Sequence, residues 1–109
     1  MKLIKLEKLK NSSKKYKAIF KTKEGKTKTT SFGASGMRDF TLMSNPKSKF
    51  YIKEKEKRET IRKNYLKRHE KDLKTNDPTR AGYLSYFILW GESKSVRENL
   101  RNYKKRFNL

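Results

Sequence analysis

Between Asp77-Pro78 and Gly91 the chain carries its one dense apolar run: eight of the ten residues from Ala81 to Trp90 are apolar, only Gly82 and Ser85 interrupting them. An aspartate accepts from the free amides of a helix's first turn and a proline has no amide to leave free, so this dipeptide predicts a helix opening at Pro78. Gly91 predicts its end, as a left-handed C-terminal cap. A helix without a polar face cannot lie on a surface, so the rest of the chain must wrap it. The run is about half the ~20 residues needed to cross a bilayer, and no membrane span is expected.

Material for the wrapping is scarce. Leu, Ile, Val and Phe number 22 of 109 residues, close to the roughly 20% level below which a highly charged chain stays unfolded. Six Tyr, six Phe and one Trp offset that shortage, because each ring buries about 150–250 Å². Residues 1–109 are therefore read as one small basic domain, too short to divide into two cores.

The front third carries strand patterns. Residues 3–9 are apolar-rich without clean alternation and end at the turn cluster Asn11-Ser12-Ser13, which predicts a first strand. Tyr16, Ala18 and Phe20 alternate with Lys17, Ile19 and Lys21, Glu24-Gly25 supplies a turn, and Thr27, Thr29, Thr30 and Phe32 suit a returning strand. An antiparallel β-meander over residues 1–36 follows. Residues 44–109 read as the helical part. Asn45-Pro46 predicts a helix start, with Phe50, Ile61, Tyr65 and His69 on roughly one face as far as about residue 73. Lys53 to Thr60 has no apolar anchor. Only pairs such as Glu54 with Arg58 and Glu59 with Lys63 support it, each worth about 0.2–0.5 kcal/mol, so a break is expected there. Ser95-Val96-Arg97-Glu98 has capping-box spacing, and Val96, Leu100, Tyr103 and Phe107 draw one apolar stripe. The expected class is α+β: a meander, then three helices with the second buried.

Charge is distributed in blocks. Thirty-one Lys and Arg against eleven Asp and Glu give +20. Residues 1–30 carry +9, residues 46–75 carry +7 and residues 96–109 carry +4, while 31–45 and 76–95 each sum to zero. A basic shell around a neutral centre is the natural reading. Self-repulsion of this size favours a polyanionic partner that relieves it. A lysine-biased coding sequence explains 23 Lys against 8 Arg, but the same bias enriches Glu and leaves the cation surplus unexplained.

Catalytic chemistry finds little support. Without cysteine there is no disulfide, thiolate nucleophile or Cys-ligated metal. One histidine, His69, is too few for a three-ligand zinc site. It sits among Lys67, Arg68 and Lys71 and reads as a solvated or phosphate-contacting imidazole. Asp39, Asp72 and Asp77 each suit a non-catalytic place, Asp77 as a helix cap. Gly33-Ala34-Ser35-Gly36 has Met37 where a nucleophile elbow needs glycine, and Gly25-Lys26-Thr27 has Phe20 where a P-loop needs one. No catalytic residue, metal, cofactor or small-molecule substrate is expected. The amino end never reaches a seven-residue apolar run, so no signal peptide is expected there.

Duplex DNA presents a charge every ~1.7 Å and rewards Lys and Arg contacts by counterion release. The candidate phosphate contacts are Lys63, Lys67 and Arg68 on the first long helix and Arg97, Arg101, Lys104, Lys105 and Arg106 on the last, with Arg38 as a loop contact. Gly33 to Gly36 beside Arg38 suits either a backbone nest for phosphate or a tight strand-to-helix connection. Tyr83, Tyr86, Phe87 and Trp90 lie at helical spacing, but in a charge-neutral segment they read as core and not as a base-stacking platform.

Three segments carry a resemblance: Ser31 to Thr41 (SFGASGMRDFT), Asp77 to Gly91 (DPTRAGYLSYFILWG) and Tyr103 to Phe107 (YKKRF). In these the chain resembles the short basic proteins of unknown function encoded by giant nucleocytoplasmic large DNA viruses, mimivirus-like and phycodnavirus-like. Residues 1–30 lie outside the resemblance, and the lysine-heavy stretch Lys53 to Lys74 departs from more arginine-rich versions, which argues against base-specific readout. The resemblance implies a viral origin, a place in the virion and in the host cytoplasm or nucleus during infection, and no catalytic motif. Joined to the charge, it gives the expectation of a non-enzymatic structural protein binding viral DNA. The alternative is a minor capsid protein cementing acidic faces of capsid subunits, and a weaker one is an RNA-binding protein, since no RNP-type strand motif is present.

Overall fold

In the computed structural model, which describes residues 1–109, the alternating segments form three antiparallel strands, β1 (Lys2–Lys8), β2 (Lys14–Lys21) and β3 (Thr27–Ala34), in that spatial order. Gly25, at φ +82°, takes the positive-φ position of the β2–β3 turn, where Thr22 N–H donates to Lys26 C=O at 2.8 Å. Leu3, Ala18, Phe20 and Phe32 are buried on one face, with Tyr16 stacked on Phe32 at 5.9 Å. The missing alternation in Leu3-Ile4-Lys5-Leu6 has a structural cause. Leu3 stands opposite Phe20 but Lys5 stands opposite Ile19, a one-residue register shift at Ile4. The extra residue turns Lys5 outward and brings Leu6 to the core side, opposite Ala18.

Helices follow the sheet: α1 (Phe40–Met43), α2 (Lys55–His69) continuing into a 3₁₀ run over Glu70–Thr75, α3 (Ala81–Leu84) continuing into a π turn over Ser85–Leu89, and α4 (Val96–Arg106). The single-turn α1 is additional to the three helices expected. Asp39 caps it, accepting from Leu42 N–H at 3.0 Å and Thr41 Oγ1 at 2.5 Å.

Asn45-Pro46 does not begin α2. Asn45 Oδ1 accepts from Lys47 N–H and Ser48 Oγ from Phe50 N–H, each at 3.0 Å, and such local side-chain bonds hold the backbone in turns. The interruption therefore lies upstream of Lys55, and most of the anchorless stretch to Thr60 is helical. Its anchor is Arg58, buried, whose guanidinium donates to the carbonyls of Ile52 and Lys53 at 2.7 and 3.0 Å. No Glu54–Arg58 or Glu59–Lys63 ion pair forms.

The apolar run is wrapped as required: Leu84, Ile88 and Leu89 are buried between the sheet and the other helices. Its ends differ from expectation. Asp77 Oδ1 accepts from Thr79 N–H and Thr79 Oγ1, capping a turn, so the helix opens at Ala81 and not at Pro78. Gly91 is not left-handed. A Cβ there would lie 2.3 Å from Phe87 O and 2.6 Å from Asn99 Cγ, so this glycine answers to space. Asn99, buried in α4, donates to the carbonyls of Ile88 and Ser93 and accepts from Ser93 N–H. Ser95 caps α4, accepting from Glu98 N–H. Across the core, Tyr103 on α4 donates its hydroxyl to Pro78 C=O.

Candidate nucleic-acid interface

Every candidate phosphate contact is exposed: Arg38 after β3, Lys63, Lys67 and Arg68 on α2, and Arg97, Arg101, Lys104, Lys105 and Arg106 on α4. None lies within ion-pair distance of a carboxylate. Of 31 Lys and Arg side chains, only Lys5, with Glu7 at 3.8 Å, and Lys15, with Asp39 at 2.7 Å, do so. On α4 the spacing of Arg97, Arg101, Lys104 and Lys105 lays a basic stripe away from the face that buries Tyr103. Arg106 departs from that stripe, its guanidinium 4.8 Å from the Phe87 ring centroid, an arrangement that keeps the charge at the surface.

The fold brings some of these residues together and leaves others on separate elements. Arg38 and Arg68 face one cleft between the β3–α1 loop, α2 and the π turn. Lys105 and Arg106 line a groove of about 580 Å³ between α2 and α4 with Arg62, Leu66 and Phe87. Arg62 is held there by Nε bonds to the carbonyls of Trp90 and Gly91 at 2.9 and 3.2 Å. Lys63 and Lys67 stand on α2, apart from the α4 stripe. Gly33 and Gly36 both take positive φ, at +78° and +81°. Ser35 N–H donates to Ser13 C=O and Met37 N–H to Ala34 C=O, so these amides serve a strand-to-helix connection.

His69 is not a free imidazole. Its ring stacks on Tyr65 with centroids 4.2 Å apart, and its Nδ1 lies 3.1 Å from Asp72 Oδ2. Tyr65 in turn lies on Trp90 at 4.0 Å and 6°. Burial, with the Asp72 carboxylate beside it, pushes the Tyr65 hydroxyl up to about 12.

Sequence reasoning placed no contact in residues 1–30, the most basic block. The register puts Lys2, Lys5, Lys17 and Lys21 on the sheet face opposite Phe20 and Phe32, together with Thr27, Thr29 and Ser31. The signal was present in the alternation of β2 but was broken in β1 by the register shift at Ile4. The outward face sets lysine and hydroxyl groups around Ile19, with Glu7 as its one carboxylate.

Residues 4–54 match the model of a family described as a family of unknown function (DUF5754). The match takes in most of the sheet, α1 and the turns that precede α2. No curated protein and no solved structure matches the chain. No helix is long and apolar enough to cross a membrane.

Proposed function

We propose that the protein is a non-enzymatic structural protein that binds duplex DNA through phosphate contacts, the DNA being, on the resemblance to giant-virus proteins, a viral genome. The observation that carries this reading is the near absence of ion pairing: 31 basic side chains with two carboxylate partners between them. A surface selected for hydration alone gains by interspersing the two signs, since unrelieved like charge opposes the compact state. Basic faces on the sheet, α2 and α4 surround a neutral core, which suits a chain whose repulsion a polyanion relieves. Lysine acts as a point charge, so the reading predicts backbone contact with little sequence preference.

The test is the salt dependence of binding to random duplex DNA. Six or more phosphate contacts give a log–log slope of about −5 or steeper. A slope near zero overturns the proposal. The cement reading is tested by disrupting particles and treating them with nuclease: release of the protein with the DNA supports genome binding, and retention on the shell overturns it.

A further inference from the structure

The cleft faced by Arg38 and Arg68 has features that phosphate contact with a duplex does not use. It encloses about 480 Å³, within the range of small-molecule sites. One wall is the column Trp90–Tyr65–His69, with Trp90 buried at its base and the His69 side chain 38% exposed at its outer end. Ile61 and Leu89 add apolar surface, while Asn64 and Ser85 line the cleft and make no side-chain hydrogen bond within the chain. Ser85 and Leu89 belong to the π turn, where Trp90 N–H donates to Ser85 C=O, five residues back. Such turns are rare and collect at functional sites. The two other charged groups of the cleft, Lys15 and Asp39, neutralise each other, so its net charge comes from the two free guanidinium groups.

We infer that this cleft takes one unpaired nucleotide of a bound nucleic acid, its base against the outer end of the aromatic column and its phosphate between Arg38 and Arg68. The inference rests on the nucleic-acid reading above and narrows it. Stacking surface beside cations is the combination by which proteins hold single-stranded bases, and a base stacked and paired inside a duplex has no free face to lay on the column. The ligand is therefore a strand end or an extruded nucleotide. Asn64 and Ser85 offer an amide and a hydroxyl to the base edge.

Trp90 is the only tryptophan and lines this cleft, so its fluorescence reports on the aromatic column. Titration with deoxyadenosine monophosphate should quench it saturably, and inorganic phosphate at equal ionic strength should not. His69→Ala should weaken the nucleotide about tenfold, and the double variant Arg38→Gln/Arg68→Gln should weaken it at least as much. Both arginines are exposed and unpaired, so circular dichroism should show that the double variant folds. No saturable quenching, an equal response to inorganic phosphate, or unchanged affinity in the double variant overturns the inference. The same protein is titrated with blunt duplex DNA across salt: a steep slope with no nucleotide response sinks the cleft alone, and a flat slope sinks the wider reading.

Discussion

Lys2 and Lys21 are direct partners across β1 and β2, two exposed lysines placed opposite each other on the open side of the sheet. Like charges placed opposite one another destabilise a sheet, and opposite charges contribute about 0.2–1 kcal/mol. Further along the same two strands Glu7 faces Lys17, so the sheet has a favourable pairing as well as the unfavourable one. Lys21→Glu should therefore raise the urea midpoint at low salt, by an amount that shrinks as salt is added. The same change should flatten the log–log salt slope of duplex binding by about 0.9, the contribution of one phosphate contact. An unchanged slope would take the sheet face out of the interface.

Lys15 is the one lysine withdrawn from solvent into a short ion pair: its Nζ lies 2.7 Å from Asp39 Oδ2 and 2.6 Å from Met37 C=O. Asp39 is 1% exposed, so Lys15→Met leaves a carboxylate buried without its counter-charge. Removing one partner of a buried pair costs about 3–5 kcal/mol. The lower end is expected here, because Thr41 and Leu42 still donate to Asp39. Adding Asp39→Asn to the variant should restore part of the loss in urea unfolding.

What the sequence made legible was set by how local the deciding interactions are. The hairpin at Gly25, the cap at Ser95 and the wrapped run from Ala81 follow from neighbours a few residues apart, and each is present. The start of α2 was not legible, because Asn45 and Ser48 hold local turns while Arg58 reaches carbonyls five and six residues away. Arg58, expected to pair with Glu54, and Arg62, which carries no sequence signal of its own, are both committed to backbone oxygens. Eight of the nine candidate cations lie in the charge blocks and are exposed as a basic shell requires, while Arg38, from a charge-neutral stretch, is exposed on the loop after β3. The cleft was not, because Arg38 and Arg68 meet across 30 residues of chain and Trp90 joins Tyr65 from another element.

Gly91 is fixed by space and not by backbone conformation, and the two causes respond differently to substitution. A left-handed cap would be eased by asparagine, whereas a space-limited glycine excludes any side chain. With Phe87 O 2.3 Å from the position of a Cβ, the neighbour that must move is backbone. Gly91→Ala should destabilise the fold by about 1–3 kcal/mol, the usual cost of overpacking, and Gly91→Asn by no less. Relief by Asn in thermal unfolding would restore the cap reading.

Alkaline unfolding should report the aromatic column. In the unfolded chain a tyrosine ionises near 10, while burial and Asp72 push Tyr65 up to about 12 when folded. A raised folded value means that the native state prefers the neutral phenol. This contribution to stability is complete below about pH 10 and is lost as pH climbs toward about 12. Tyr103 and Tyr16 are shifted upward as well, chiefly by burial, and steepen the same limb. Lysine deprotonation in that window relieves self-repulsion and acts in the opposite direction, so the wild-type curve alone is a sum of two effects. Tyr65→Phe separates them: the lysines are unchanged, the stack on Trp90 is kept, and one phenol is gone. Between about pH 9 and pH 11.5 the urea midpoint of the variant should fall less than that of the wild type. Parallel curves would mean that Tyr65 ionises in the folded protein as it does in the unfolded one, and that the column is open to water.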